Sequence, residues 1–372
     1  MVSAFAVSGW ADDSDLVDKS SNLNLQGFIS VIGGEVLSGS FNGNLGGQNY
    51  KCPCYVADWA NAGVYTRDFS LKPQSHVGLQ ADYTINPQLS LTGQVIIRGT
   101  ETNPSIQYAF ADYKIDEQWD VHIGRERIPL FYYSIFQDLG LAYPWISPPS
   151  EVYGWEATNY NGISARYKGS LNGVSVGAEL YTGFEYIHQD VYLELNSYPQ
   201  SEVHWKNMIG GTVELSHDFW TVRGNAMTSQ VNWEDQNGTP PVMQRIRLFG
   251  AAVNLDFDNW FVVSEAGEFD RNFYSFGYTE LSPFYTVGVG VRFGAWTPVF
   301  NYAKFFDHYT YQKPGVPIQG DDPYAGWGMT LRYDIDTSSA IKIQYDKVQD
   351  LSPESNFFGN SKVLRLSYDR VF

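Results

Sequence analysis

Lys362-Val-Leu-Arg-Leu-Ser-Tyr-Asp-Arg-Val-Phe372 ends the chain, and its residues alternate in character. Successive side chains of a strand point to opposite faces, so Leu364, Leu366, Tyr368 and Phe372 share one side, and Arg365, Ser367 and Asp369 the other. One face suits an apolar medium and the other suits water. A soluble sandwich also uses such strands, but here the pattern recurs along the whole chain, each time with an aromatic near one end. That combination predicts a membrane-spanning barrel with lipid outside, a polar lumen inside and aromatic girdles at the two interfaces.

Counting back from Phe372 gives sixteen alternating segments, at about 23–33, 76–84, 88–99, 105–114, 119–127, 161–168, 173–184, 206–216, 219–231, 244–257, 260–270, 284–294, 296–308, 325–335, 339–349 and 361–372. The expected fold class is therefore all-β: a 16-stranded antiparallel transmembrane barrel. Short connections rich in turn formers, such as Ile85-Asn-Pro87, Ile115-Asp-Glu-Gln118 and Asp258-Asn259, alternate with long ones. Short turns at one end and long loops at the other are the asymmetry of an outer-membrane barrel. An even strand number puts both termini on the short-turn, periplasmic side. Tyr83, Trp119, Tyr167, Trp220, Phe257, Trp260, Phe293, Trp296, Tyr333, Tyr368 and Phe372 all lie beside short turns and fix the register.

Alternation then sends Leu89, Leu91, Val95 and Ile97 to lipid, and Ser90, Thr92, Gln94 and Arg98 inward. Lys or Arg facing lipid at the midplane costs roughly 2–4 kcal/mol, so Arg166, Arg223, Arg292, Arg332, Lys342 and Arg365 are assigned to the pore wall. The inward acids, Asp82, Glu214, Asp256, Asp346 and Asp369 among them, allow two readings: a neutralising mesh that stiffens the wall, or a field across the lumen. The fourth segment is ambiguous. Tyr108 and Phe110 compete for lipid with Gln107, Ala109 and Ala111, which together with Gly27 could form a small outward patch for self-association.

Composition agrees with one undivided domain over 12–372, because no linker or low-complexity stretch interrupts the 372 residues. Hydrophobic residues are 43 % of the chain, yet no run reaches the roughly eighteen apolar residues a membrane helix requires. A net charge of -17 argues against nucleic acid as a partner, and leaves open acidic external loops or an acidic, cation-enriching conduit. Residues 1–11 read as a residual signal-peptide segment, with small Gly9 and Ala11 ahead of Asp12-Asp13. The two cysteines, Cys52 and Cys54 in Lys51-Cys-Pro-Cys-Tyr55, are too few for a four-ligand metal site, and an oxidising compartment favours a disulfide between them over a reactive pair.

The stretch Ile128-Pro-Leu-Phe-Tyr-Tyr-Ser-Ile-Phe-Gln-Asp-Leu-Gly-Leu-Ala-Tyr-Pro-Trp-Ile-Ser-Pro-Pro-Ser-Glu-Val-Tyr153 follows the fifth segment and is too apolar to hang in water. Folding inward along the wall would bury it and narrow the lumen. Its position, the preceding Ile123-Gly-Arg-Glu-Arg-Ile-Pro-Leu-Phe-Tyr132 and the terminal Tyr368 and Phe372 resemble the trimeric Gram-negative porins. The resemblance implies a constriction built by the third external loop, about 128–160, with loop acids Asp138 and Glu151 facing wall residues Arg98, Arg125 and Arg127. It further implies a homotrimer among outer-membrane lipids and lipopolysaccharide, passive diffusion of small hydrophilic solutes and ions, and a terminal Phe372 read by the insertion machinery.

Two departures from the family pattern matter. The compact acidic loop turn of many members is replaced by Ala142-Tyr-Pro-Trp-Ile146, so Tyr143 and Trp145 serve either as packing or as a stacking surface in a substrate-selective channel. Strict alternation from Trp119 sends Arg125 outward unless Gly124 hosts a bulge. A non-conducting structural or adhesion barrel is the remaining alternative. No enzyme is expected: Gly173-Val-Ser-Val-Gly177 matches a nucleophile-elbow pattern, but it lies inside a strand with no helix after it. The six histidines are scattered without metal-ligand spacing, so neither a metal nor a cofactor is expected; Asp321-Asp322 is read as an acidic loop.

Overall fold

A computed structural model describes residues 22–40, 44–45, 49–196, 198, 200–234, 241–311, 323–352 and 359–372. The signal-peptide reading of 1–11 and the Asp321-Asp322 pair lie outside the described residues. The barrel strands are β1 (Leu23–Gly39), β2 (His76–Asn86), β3 (Leu89–Arg98), β4 (Ser105–Lys114), β5 (Trp119–Arg127), β6 (Asn159–Leu171), β7 (Val174–Ile187) and β8 (Glu202–His217). They continue as β9 (Trp220–Glu234), β10 (Val242–Asp256), β11 (Trp260–Phe273), β12 (Tyr278–Val291), β13 (Trp296–Phe305, resumed at His308–Tyr311), β14 (Tyr324–Asp336), β15 (Ser339–Asp350) and β16 (Ser361–Val371). Both parts of β13 pair with β12, so they count as one strand. All neighbours are antiparallel, and β16 returns to β1 through pairs from Phe28–Val371 to Gly39–Ser361. Closure leaves no open edge, which is what a strand fold needs in lipid. No helix among the described residues is long and apolar enough to cross a membrane; the strands do the crossing.

The alternation in sequence becomes two surfaces. On β16, Leu364 and Leu366 are exposed while Arg365 and Asp369 are each 1 % exposed. On β15, Ile341 and Ile343 are exposed while Lys342 is fully buried. The apolar row thus faces outward, and the charged row faces inward. β4 settles the same way: the Tyr108 hydroxyl donates to the Ile135 carbonyl and Phe110 stacks on His122, so Ala109 and Ala111 take the outer face. Gln107 does not belong to that outer patch. It sits at a register shift between β3 and β4 and is buried, accepting from Arg127. Gly27 is covered by the Phe372 ring.

The short turns are fixed locally. Asn172 and Gly173 both take positive φ, 51° and 85°, the left-handed pair of a two-residue hairpin that matches strand twist. Elsewhere side-chain carboxyl and amide oxygens replace missing backbone partners, as where Asp116 accepts from the amides of Gln118 and Trp119 at 2.8 Å each. Aromatic pairs ring this end, including Trp119 on Tyr167 at 5.0 Å and Trp296 on Tyr333 at 4.5 Å. The terminal Phe372 exchanges two backbone hydrogen bonds with Gly27, 2.7 and 2.8 Å.

Candidate functional site

Ile128 donates to the Thr158 carbonyl at 2.9 Å, closing the base of the segment that follows β5. Side chains from several strands hydrogen-bond to it. Arg223 of β9 donates to the carbonyls of Pro129 and Tyr132, and Asn225 to that of Leu130 at 2.6 Å. Arg332 of β14 reaches the carbonyls of Leu141 and Tyr143 at 2.9 and 3.0 Å. Lys342 of β15 reaches those of Gly140 and Trp145 at 2.5 and 2.6 Å while pairing with Asp369 at 3.1 Å. Glu265 of β11 supplies the opposite polarity, accepting from the Tyr132 amide and the Tyr153 hydroxyl. A coil taken out of water must find partners for its peptide groups, and wall side chains provide them here. Gly140 is a necessary glycine, because a Cβ there would meet the Asp369 carboxylate.

Asp138 is held by two wall arginines. Arg98 donates Nη1 to Oδ1 at 2.6 Å and Arg127 donates Nη2 to Oδ2, while His76 contacts the Asp138 carbonyl at 2.6 Å. Glu151 is elsewhere. It lies over Gly326, in the field of Asp346 and Arg365, and burial pushes its carboxyl up to about 7. Glu156 is likewise pushed up to about 7 by burial, partly offset by Arg271. Arg125 does not join Asp138. The β5 ladders run through Gly124 without a register shift, so Arg125 stays on the face of exposed Ile123, donating to the Ile106 carbonyl and to Glu185 at 2.7 Å. Arg166 binds Glu126 and Glu179, and Arg365 binds Asp346 at 2.8 Å and Ser147 at 2.7 Å. Tyr143 and Trp145 are both buried, in a cluster with Tyr133, Phe261 and Val299. Their rings therefore pack and offer little face to a solute.

Of the first external loop, sequence reasoning singled out only the Cys52 and Cys54 pair. Cys52 and Cys54 are joined, and beyond them a hairpin of Tyr55–Asp58 and Gly63–Tyr65 buries Tyr55 and Tyr65 against Val36 and Val363. Trp59 packs beside Leu195 and Tyr192 of a short helix, α1 (Val191–Leu195), in the loop between β7 and β8. Asp190 caps that helix by accepting from the Leu193 amide, and burial raises its carboxyl to about 6. Three loops thus meet. Between the first loop and the 128–158 segment lies a cavity of about 60 Å³ bordered by Asp58, His76, Arg98, Asp138 and Tyr143, room for a few waters. A second of about 20 Å³ shares Asp58, Gln137 and Tyr153 with it. The signal that could have pointed to this loop is its own row of aromatics, Tyr50, Tyr55, Trp59 and Tyr65, too many for a solvated connection.

No family model and no curated protein sequence matches the chain. Solved structures do match along almost its whole length. A loop L8 deletion mutant of OmpT, an outer membrane protein of Vibrio cholerae, superposes with TM-score 0.61 at 9 % identity, covering 94 % of this chain and 99 % of that one. The outer membrane channel DcaP of Acinetobacter baumannii gives 0.58 at 12 %, covering 94 % and 97 %. An anion-selective porin from Comamonas acidovorans gives 0.57 at 11 %, covering 94 % and 99 %. At such identities the likeness concerns fold: the chain has the barrel of integral bacterial outer-membrane proteins.

Proposed function

We propose that this chain is an outer-membrane porin, a water-filled path for passive diffusion of small hydrophilic solutes and ions, constricted by the 128–158 segment folded into the lumen. The observation that carries the reading is the set of wall cations, Arg223, Arg332 and Lys342, that grip the segment's carbonyls from widely separated strands. In this reading the loop narrows the bore and sets the size limit for solutes. Asp138 between Arg98 and Arg127, with Asp58 across the larger cavity, places opposite charges close together at the narrowing, a field that favours dipolar over apolar solutes. The homotrimer and the contacts with lipid and lipopolysaccharide belong to the same proposal; a trimer form is described for Vibrio cholerae OmpT.

Single-channel recording in planar bilayers tests it, with a salt gradient for the reversal potential and a sugar panel as blockers. Stepwise openings in threes, ion preference and no sugar block are expected. Block at low sugar concentration would favour a substrate-selective channel, the reading supported by Tyr153 bordering both cavities. Silence from correctly folded protein would mean a plugged structural or adhesion barrel. Removing Phe372 is expected to lower outer-membrane levels, because its two hydrogen bonds to Gly27 help to close the barrel; normal levels would remove it from any assembly role.

A further inference from the structure

Away from the loop, at the short-turn end of the inner wall, a histidine meets two aspartates. His122 of β5 is nine-tenths buried, with Phe110 stacked on its ring at 4.5 Å. Its Nδ1 lies 2.8 Å from Glu126 Oε1, and Glu126 also accepts from Arg166 at 2.7 Å, Ser164 at 2.9 Å and Tyr160 at 3.1 Å. A carboxylate placed as the common acceptor of these donors puts an imidazole proton on Nδ1, so that Nε2 offers a lone pair whenever it carries no proton of its own. Nε2 then faces Asp120 Oδ1 at 3.2 Å and Asp112 Oδ1 at 3.5 Å. Both oxygens are buried and lack a hydrogen-bond partner among the described residues.

The two carboxylate oxygens and Nε2, all within 4.8 Å of one another, need a proton or a cation between them. Their spacing fits a metal. Donors bound at about 2.0–2.1 Å around a tetrahedral zinc stand about 3.3 Å apart, the separation seen from Nε2 to each oxygen. Glu126 on the other ring nitrogen is the outer carboxylate that commonly orients a metal-bound histidine. We propose that Asp112, Asp120 and His122 bind one divalent transition cation of the zinc type, with Glu126 as the positioning residue and the fourth position open to lumen water. Arg166, with Nη1 3.4 Å from Nε2, is the nearest competing cation, and Glu126 and Glu179 hold its other nitrogen. The site goes beyond the channel reading and does not depend on it.

The test is calorimetric titration of zinc chloride alone into the full chain folded in detergent. One saturable site per chain is expected, weakened at least tenfold in Asp120→Asn and His122→Asn and about tenfold in Glu126→Gln. His188→Asn, which alters the exposed His188–Glu202 pair, should leave binding unchanged. Heat-modifiable electrophoretic mobility checks folding, and Asp112→Asn replaces any variant that fails it. Absence of saturable binding in the wild type means that a proton alone occupies the cluster and overturns the proposal. So does zinc binding that survives both His122→Asn and Asp120→Asn, or that disappears with His188→Asn.

Discussion

Lys342 and Arg98 are both buried cations on the inner wall, on different sides of the barrel, and they hold the same segment by different means. At Lys342 and Arg332 on neighbouring β15 and β14, and at Arg223 on distant β9, the wall binds peptide carbonyls, fixing the path of the backbone whatever its side chains. Around Arg98, the β3 and β5 side binds one side chain, the Asp138 carboxylate. The first kind of contact is a staple and the second is a charge setting. Substitutions on the two sides should therefore separate, with stability and bore size changing on one and ion preference on the other.

The largest effect is expected on the staple side. Lys342→Met leaves Asp369 buried without its cation and frees two carbonyls. Breaking one partner of a buried pair costs about 3–5 kcal/mol. The thermal midpoint in detergent should fall, and single-channel conductance should rise as the segment loosens. An unchanged midpoint and conductance would remove the staple from the account.

Next comes Glu151, on the staple side but bound to no staple. With its folded pKa raised to about 7 from an ordinary 4.5, the folded barrel binds a proton more tightly than the unfolded chain does. The stability this gives is fully present below about pH 4.5 and is lost as pH rises through 7, a difference of about 3 kcal/mol. Chemical denaturation at pH 5 and pH 8 should show the wild type weaker at pH 8. Glu151→Gln should remove that group's own share of the dependence, leaving comparable shares from Glu156, pushed to the same value, and Asp190, raised to about 6. A variant with the wild-type pH slope would mean that Glu151 is solvated.

Asp138→Asn tests the charge side. Losing a carboxylate that accepts from two arginines costs about 1.5–3 kcal/mol, but the carbonyl staples remain. Here the reversal potential should move toward anions with little change in conductance, the inverse of Lys342→Met. If conductance rises instead, Asp138 is a staple too and the distinction between the two sides fails.

The barrel was almost fully legible, and the interior was not, for one physical reason. A strand in lipid meets the same solvent at every outward position, so period-two alternation reports its face directly, and Ile341-Lys-Ile343 or Leu364-Arg-Leu366 reads correctly without knowledge of neighbours. An inward cation meets whatever the loops bring to it. Lys342 and Arg332 do pair with Asp369 and Asp334, as the mesh reading has it, but neither that reading nor a field foresees that they and Arg223 also bind carbonyls. No sequence signal shows that a lysine paired with an aspartate will also meet peptide groups, as Lys342 does. Strand ends suffered similarly: β12 begins at Tyr278, not near 284, because external pairing continues beyond the membrane, where alternation no longer marks it.

Arg125 sharpens the comparison with the smallest effect. It sits two residues from Arg127 in the same arginine-rich stretch, yet without a register shift at Gly124 its side chain goes to the opposite face from Glu126, pairs with Glu185 and remains 25 % exposed. Glu185 is itself buried, so removing Arg125 costs stability through the uncovered carboxylate, but it leaves the lumen unchanged. Arg125→Gln should leave conductance and reversal potential as in the wild type, whereas Arg127→Gln, two positions along, should shift the reversal potential toward cations by uncovering Asp138. Equal shifts from the two variants would place Arg125 on the lumen and require the bulge that the ladder pairs of β5 lack.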